Sequence, residues 1–365
     1  MVNLNKKQLG WSLAFINVMI FFGWGNVFIS YSTQELGVNK IIFALSTYAT
    51  CSFCLLLYSG HGKLSRESMR SIDTWAYGVV MLANYFVSLN LFSVTSATEG
   101  SLIQRMSVVF SIFVSWFFLR RKPSRNQLIG LVMIFVGVIY VVDSSPDDKK
   151  FFLYMLMILT GVFQSLRIFV AEFHRPHQKA TQDNSAKTKF RVIGYVMFVI
   201  TLLFGTLVTL CTLMQAYIPD AYRVNLVIEF KDFFSYQSVL AGAIMGLLIY
   251  TPLRFLEFAS ASKINAENYL VVVSFSFFST WFWEWAFSPL TGLSLKELSA
   301  QDIIAGIVIT FGALIMAISK MVSSSKEDSR LEKFLKADSQ DLESAEEMIK
   351  LADKGMYRDK GGRRR

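Results

Sequence analysis

Ten times along these 365 residues an apolar run is long enough to cross a membrane, and pieces of the early runs are written again in the late ones. A hydrocarbon core about 30 Å thick needs about 20 helical residues at about 1.5 Å each. The runs fall at 10–31, 38–58, 72–93, 95–118, 124–142, 150–171, 191–215, 236–258, 262–286 and 302–321. Residues are 53% hydrophobic and only 17% charged, too few charges to cover a soluble surface of this size. The chain therefore reads as an all-α integral membrane protein of ten transmembrane helices.

The repetition gives the layout. Phe110-Ser111-x-Phe113-x-Ser115-Trp116-Phe117 returns 165 positions later as Phe275-Ser276-x-Phe278-x-Thr280-Trp281-Phe282. Met19-Ile20-x-x-Gly23-x-x-Asn26 returns as Met157-Ile158-x-x-Gly161-x-x-Gln164, and Leu128-Ile129-Gly130 with Gly137 as Ile303-Ile304-Ala305 with Gly312. Five spans per repeat is odd, so the second copy must enter from the opposite face: two inverted five-helix repeats, 1–148 and 149–322, with a charged cytoplasmic tail over 323–365.

A net charge of +9 suggests nucleic acid until the charges are placed. With the amino terminus inside, sixteen Lys and Arg fall in inside loops, Arg120, Arg121, Lys122, Arg125 and Arg254 among them, against six outside. That bias is the positive-inside rule at work, so no nucleic-acid partner is implied. Both termini are expected in the cytoplasm, the Arg120–Arg125 loop inside and the Ser288–Ala300 loop outside. The first span, preceded by Lys6 and Lys7 and lacking a small-residue cleavage site, is expected to insert as a signal anchor.

The stretch Ser96-Ala97-Thr98-Glu99-Gly100-Ser101-Leu102-Ile103 through Trp116-Phe117-Phe118-Leu119, followed by Leu128-Ile129-Gly130 and Phe135-Val136-Gly137-Val138, resembles the EamA-type permeases of the drug/metabolite transporter superfamily. The resemblance implies a permease of a bacterial inner membrane that exports or exchanges metabolites, without selecting one. No nucleotide-hydrolysis loop occurs, so a gradient or the substrate itself must drive it, with protons the natural coupling ion.

Polar residues at membrane depth mark the expected site, since an ionised group there costs about 2.5–3.5 kcal/mol. Arg105 beside Gln104, and Arg167 one turn after Gln164, are the candidates for an anionic or zwitterionic small-molecule substrate, because a guanidinium fork matches a carboxylate. Tyr85 and Tyr250 are equivalent by the 165-residue offset, Asn26 and Gln164 by one of 138. With Asn268, Tyr269 and Trp24 they are expected to shape a midplane cavity among spans one, three, four, six, eight and nine. Glu267, about a turn into the ninth span, is the candidate for proton coupling. Arg254 and Glu257, near the inside end of the eighth, read as a local pair.

Cys51, Cys54 and Cys211 fall within spans as small fillers. The three histidines, His61, His174 and His177, lie outside the spans, which argues against a membrane enzyme and leaves no metal site. No catalytic residue or cofactor is expected, and the oligomeric state is open. The polar stretch Glu172–Phe190 reads as a flexible tether. The competing reading of the chain is a sensor or scaffold of transporter fold that docks a partner through its tail.

Overall fold

The computed structural model describes residues 6–183, 185–215, 230–291 and 300–319. Ten helices among them are long and apolar enough to cross a membrane: α1 Lys7–Gln34, α2 Lys40–Ser59, α3 Ile72–Phe92, α4 Ala97–Leu119, α5 Arg125–Asp143, α6 Asp147–Phe173, α7 Ala186–Met214, α8 Tyr236–Ile264, α9 Ala266–Pro289 and α10 Ala300–Ser319. No strand occurs among the described residues. The chain is a multi-pass, all-helical membrane protein. It divides into a compact unit over Met1–Ala317, described below, and a second over Ile318–Arg365. The charged tail and most of the Ser288–Ala300 loop lie outside the described residues.

Hydropathy locates each span's centre and most ends within a few residues, and it falls short where a helix continues through polar residues once its turns are hydrogen-bonded. The eighth was expected to stop near 258, and α8 runs to Ile264. One residue, Asn265, at φ 69°, then reverses the chain into α9. Glu267 and Asn268 therefore stand in the first turn of α9 rather than a turn inside it.

Four helices are interrupted where the interior is polar. Pro252 in α8 cannot donate to the preceding turn, and the helix opens into a π-helical turn over Met245–Tyr250. Thr251 Oγ1 donates to the Gly246 carbonyl there, at 2.8 Å. In α1 the wide turn is Asn17–Phe22, where Ser279 Oγ and Trp283 Nε1 of α9 both donate to the Met19 carbonyl, at 2.6 and 3.2 Å. Helices α4 and α9 break for two residues, at Gln104-Arg105 and at Ser274-Phe275. These breaks are 170 positions apart, five more than the sequence repeat suggests.

The packing partners come in sets. Helix α1 lies along α8 and α9, and α6 along α3 and α4; α2 lies along α7 and α8, and α7 along α2 and α3. Helices α5 and α10 approach most closely at glycine. A Cβ on Gly130 would stand 2.4 Å from the Gly312 carbonyl oxygen, and one on Gly312 2.7 Å from that of Gly130.

The expected tether between the halves is ordered. His174 accepts from the His177 amide at 3.2 Å and caps a helix over Arg175–Gln182, with Pro176, His177 and Ala180 buried. Pro176 at the start of that helix supplies a preset backbone, which polarity alone did not reveal.

A candidate substrate cavity

A cleft opens between α1, α3, α4, α6 and α8. Its walls carry four carboxamides (Asn26, Asn84, Gln104, Gln164), two guanidinium groups (Arg167, Arg254) and the rings of Phe22, Tyr85, Phe92 and Tyr250. The helix interruptions position them. Phe22 ends the wide turn of α1, Met245 and Tyr250 bound that of α8, and Gln104 begins the break of α4. Helix α9, expected among the walls, contributes no lining residue and reaches the cleft only through Thr280, which accepts from Asn26 Nδ2 at 3.2 Å.

Many of these polar groups are left over. Both side-chain polar atoms of Gln164, Oε1 of Gln104, Oδ1 of Asn84 and Nε of Arg167 are buried without a hydrogen-bond partner in the protein. Buried polar groups are ordinarily paired, because each orphan costs about 1–3 kcal/mol. These orphans cluster on residues around one cleft, an arrangement that can pair with a hydrogen-bonding ligand.

At one end of the cleft three charges meet. Glu257 Oε2 lies 2.7 Å from Arg254 Nη1 and 3.2 Å from Arg167 Nη2, while Tyr77 donates its hydroxyl to Oε1 at 3.0 Å. Arg254 also stacks on the Tyr250 ring, 4.5 Å from its centre. All three charged side chains are essentially inaccessible. Two cations share one anion, so the cluster carries one unbalanced positive charge. Tyr85 and Tyr250 meet edge to face with ring centres 5.4 Å apart.

Residues 9–143, which hold α1 to α5, match the model of the EamA-like transporter family. Over those five helices, a little over a third of the chain, the sequence is similar to that family. Its members are transporters of small molecules. A solved crystal structure, titled only as that of a protein, is 14% identical with a TM-score of 0.53, and the match covers 86% of this chain and 98% of that one. At that identity the likeness speaks for the fold alone. No curated protein matches the chain.

The expected site residues separate into two groups. Asn26, Tyr85, Gln104, Gln164, Arg167 and Tyr250 line the cleft together. The others stand elsewhere. Arg105 is fully buried, but its guanidinium donates to the carbonyls of Ser101 (2.8 Å) and Val273 and lies over the Phe22 ring. It pins the break of α4 to that of α9. Tyr269 takes the Asn17 amide on its hydroxyl at 2.8 Å, and Asn268 donates to the Ile264 carbonyl at 2.6 Å. Trp24 stacks with Trp283 and Phe287. Glu267 accepts from Ser115 and lies 3.5 Å from Arg121 Nη1, whose other nitrogen is 3.3 Å from Glu172. Glu172 in turn accepts from the Ala266 amide at 2.8 Å, so this network ties the ends of α4, α6 and α9.

Arg254, Glu257 and Ser88 were not among the expected site residues. A signal for two of them existed: Tyr250, Arg254 and Glu257 fall on one face of a helix. Ending the span near 258 placed Arg254 about a turn from the surface. With α8 running to Ile264, ten residues and about 15 Å separate it from that end. Arg254 is thus not one of the loop charges, and the bias without it keeps its sign. Among the described residues no group of His, Cys, Asp and Glu could hold a metal ion.

Proposed function

We propose that this protein is a secondary transporter that moves a small anionic or zwitterionic metabolite across a bacterial cytoplasmic membrane, with both termini inside, by alternating access. The observation that carries the reading is the cleft itself, where Arg167 and the carboxamides of Asn84, Gln104 and Gln164 bring orphaned hydrogen-bonding groups to membrane depth. Groups that costly are kept where a ligand completes them.

Two inverted repeats account for the packing. Exchanging each helix for the one five positions away turns the α1–α8 contact into α6–α3 and α1–α9 into α6–α4, both of which occur. Gly130 meets Gly312, the equivalent of Gly137, and Gly137 comes close to the Ala305 carbonyl, the equivalent of Gly130. A twofold axis between α5 and α10 produces that reciprocity. The cleft then lies between the halves, and the Arg121–Glu172–Glu267 network closes one end. Proton coupling through Glu267 belongs to this proposal.

Transport of radiolabelled metabolites into proteoliposomes tests it. Arg167→Lys keeps the charge and loses the planar fork, and is expected to weaken uptake of the identified substrate about tenfold or more. Wild-type uptake by both Arg167→Lys and Arg167→Ala would remove the site. Glu267→Gln is expected to abolish the pH dependence of uptake while the protein still folds.

A further inference from the structure

Charge arithmetic at the cleft narrows the substrate, given the transporter reading above. Arg167 and Arg254 line the cleft, and Glu257 is their shared counter-ion. Its carboxylate is already saturated by two guanidinium groups and the Tyr77 hydroxyl. A substrate ammonium would have to displace an arginine from it. No other carboxylate lines the cleft, so a cationic group has no counter-ion there. An anionic group meets the opposite situation, with Arg167 Nε unpartnered and one positive charge in excess. Beyond the arginines the walls offer neutral partners: carboxamides, the Ser88 hydroxyl and rings.

We infer that the cargo is a monoanion: a small monocarboxylate whose remaining polar groups are neutral, hydroxyl or amide, with Glu257 setting the charge that the cleft accepts. One negative charge balances the cluster. A second would enter unpaired, because Arg105 does not line the cleft, and its Nε and Nη1 are held by backbone carbonyls. A zwitterion would bury its ammonium without an anion, a costly placement in a low-dielectric site. The neutral end suits the amides, which donate and accept equally well.

The test uses the intact wild-type protein and matched probes of differing charge: lactate, lactamide, alanine and malate on one frame, and mandelate, mandelamide, phenylglycine and phenylsuccinate on another. Thermal shift in detergent reads binding, since a ligand of the folded state raises apparent stability. The monocarboxylate is expected to bind about ten- to a hundredfold more tightly than its amide, the loss expected for one charge-assisted contact. It should also surpass the amino acid and the dicarboxylate. Arg167→Gln, which leaves the cluster neutral, should erase the preference for acid over amide. Glu257→Gln should move it toward the dicarboxylate; should that variant not fold, the wild-type series decides. Selection of the amino acid would overturn the inference and leave the transporter reading standing. So would selection of the dicarboxylate, which would count Arg105 into the site. A series in which nothing binds, with no flux of any metabolite, would overturn both.

Discussion

His174 and His177 are buried histidines outside the membrane-spanning helices, and they make acid stability a residue-scale property. His174 accepts the His177 amide on Nδ1, so its proton sits on Nε2, 3.0 Å from Thr74 Oγ1. Burial drives the His174 pKa down to about 4, against a smaller upward pull from Asp73. Burial, with His174 and nearby lysines adding to it, takes His177 to about 3. An unfolded histidine titrates near about 6.5. Between there and about pH 4 the unfolded chain binds protons that the folded one refuses, so stability falls as pH falls. Above about pH 6.5 both states are neutral and the pair contributes no pH dependence. The melting temperature in detergent should drop across that window. A His174→Asn/His177→Phe variant, which keeps a helix-capping acceptor, should show a flatter decline. Equal slopes in the two proteins would exclude the pair as its source.

At the scale of elements, the contact between α1 and α9 is set by a missing side chain. A Cβ on Gly23 would stand 1.9 Å from Ser279 Oγ and 2.7 Å from the Ser279 backbone carbon. The same serine bonds the Met19 carbonyl and holds the wide turn that ends at Phe22 on the cleft wall. Gly23→Ala should force the helices apart and cost about 1–3 kcal/mol, the usual range for overpacking. Adding Ser279→Ala removes the hydroxyl clash and not the backbone one, so it should rescue only in part. Gly205→Ala on α7 is the control: its nearest neighbour would be the Leu45 side chain at 3.6 Å, an ordinary contact. Melting temperatures of the three variants check the order. A Gly23→Ala protein as stable as wild type would mean that α1 and α9 separate freely.

For the whole molecule, orientation in the membrane is the property to measure. The charge bias and the odd number of helices per repeat place Ser124 inside and Leu293 outside. In a background without Cys51, Cys54 and Cys211, a membrane-impermeant maleimide added outside should label Leu293→Cys and leave Ser124→Cys untouched. The opposite pattern would reverse the topology and with it the direction in which the Arg121–Glu172–Glu267 network faces. Outside labelling of both positions would require an even number of crossings between them, against the five helices α5 to α9.

Apolar length, a local property, determined the ten helices, and internal repetition pointed to their arrangement. It needs no partner to be read, because lipid imposes the same requirement on every span. Depth was only half legible. Gln104 could be placed because it sits well inside its run, and Arg167, four residues from the expected end of its own, because it follows Gln164 by one turn; Arg254 and Glu257 lay near a boundary drawn six residues too early. Which buried cation faces a cavity is a matter of rotation and contact between helices distant in sequence. Arg105 and Arg167 look alike along the chain. Only packing turns Arg105 onto the carbonyl freed at Val273 and joins Arg167 with Arg254 around Glu257. A helical side chain's direction follows from its own backbone, but what lies in that direction is supplied by another helix.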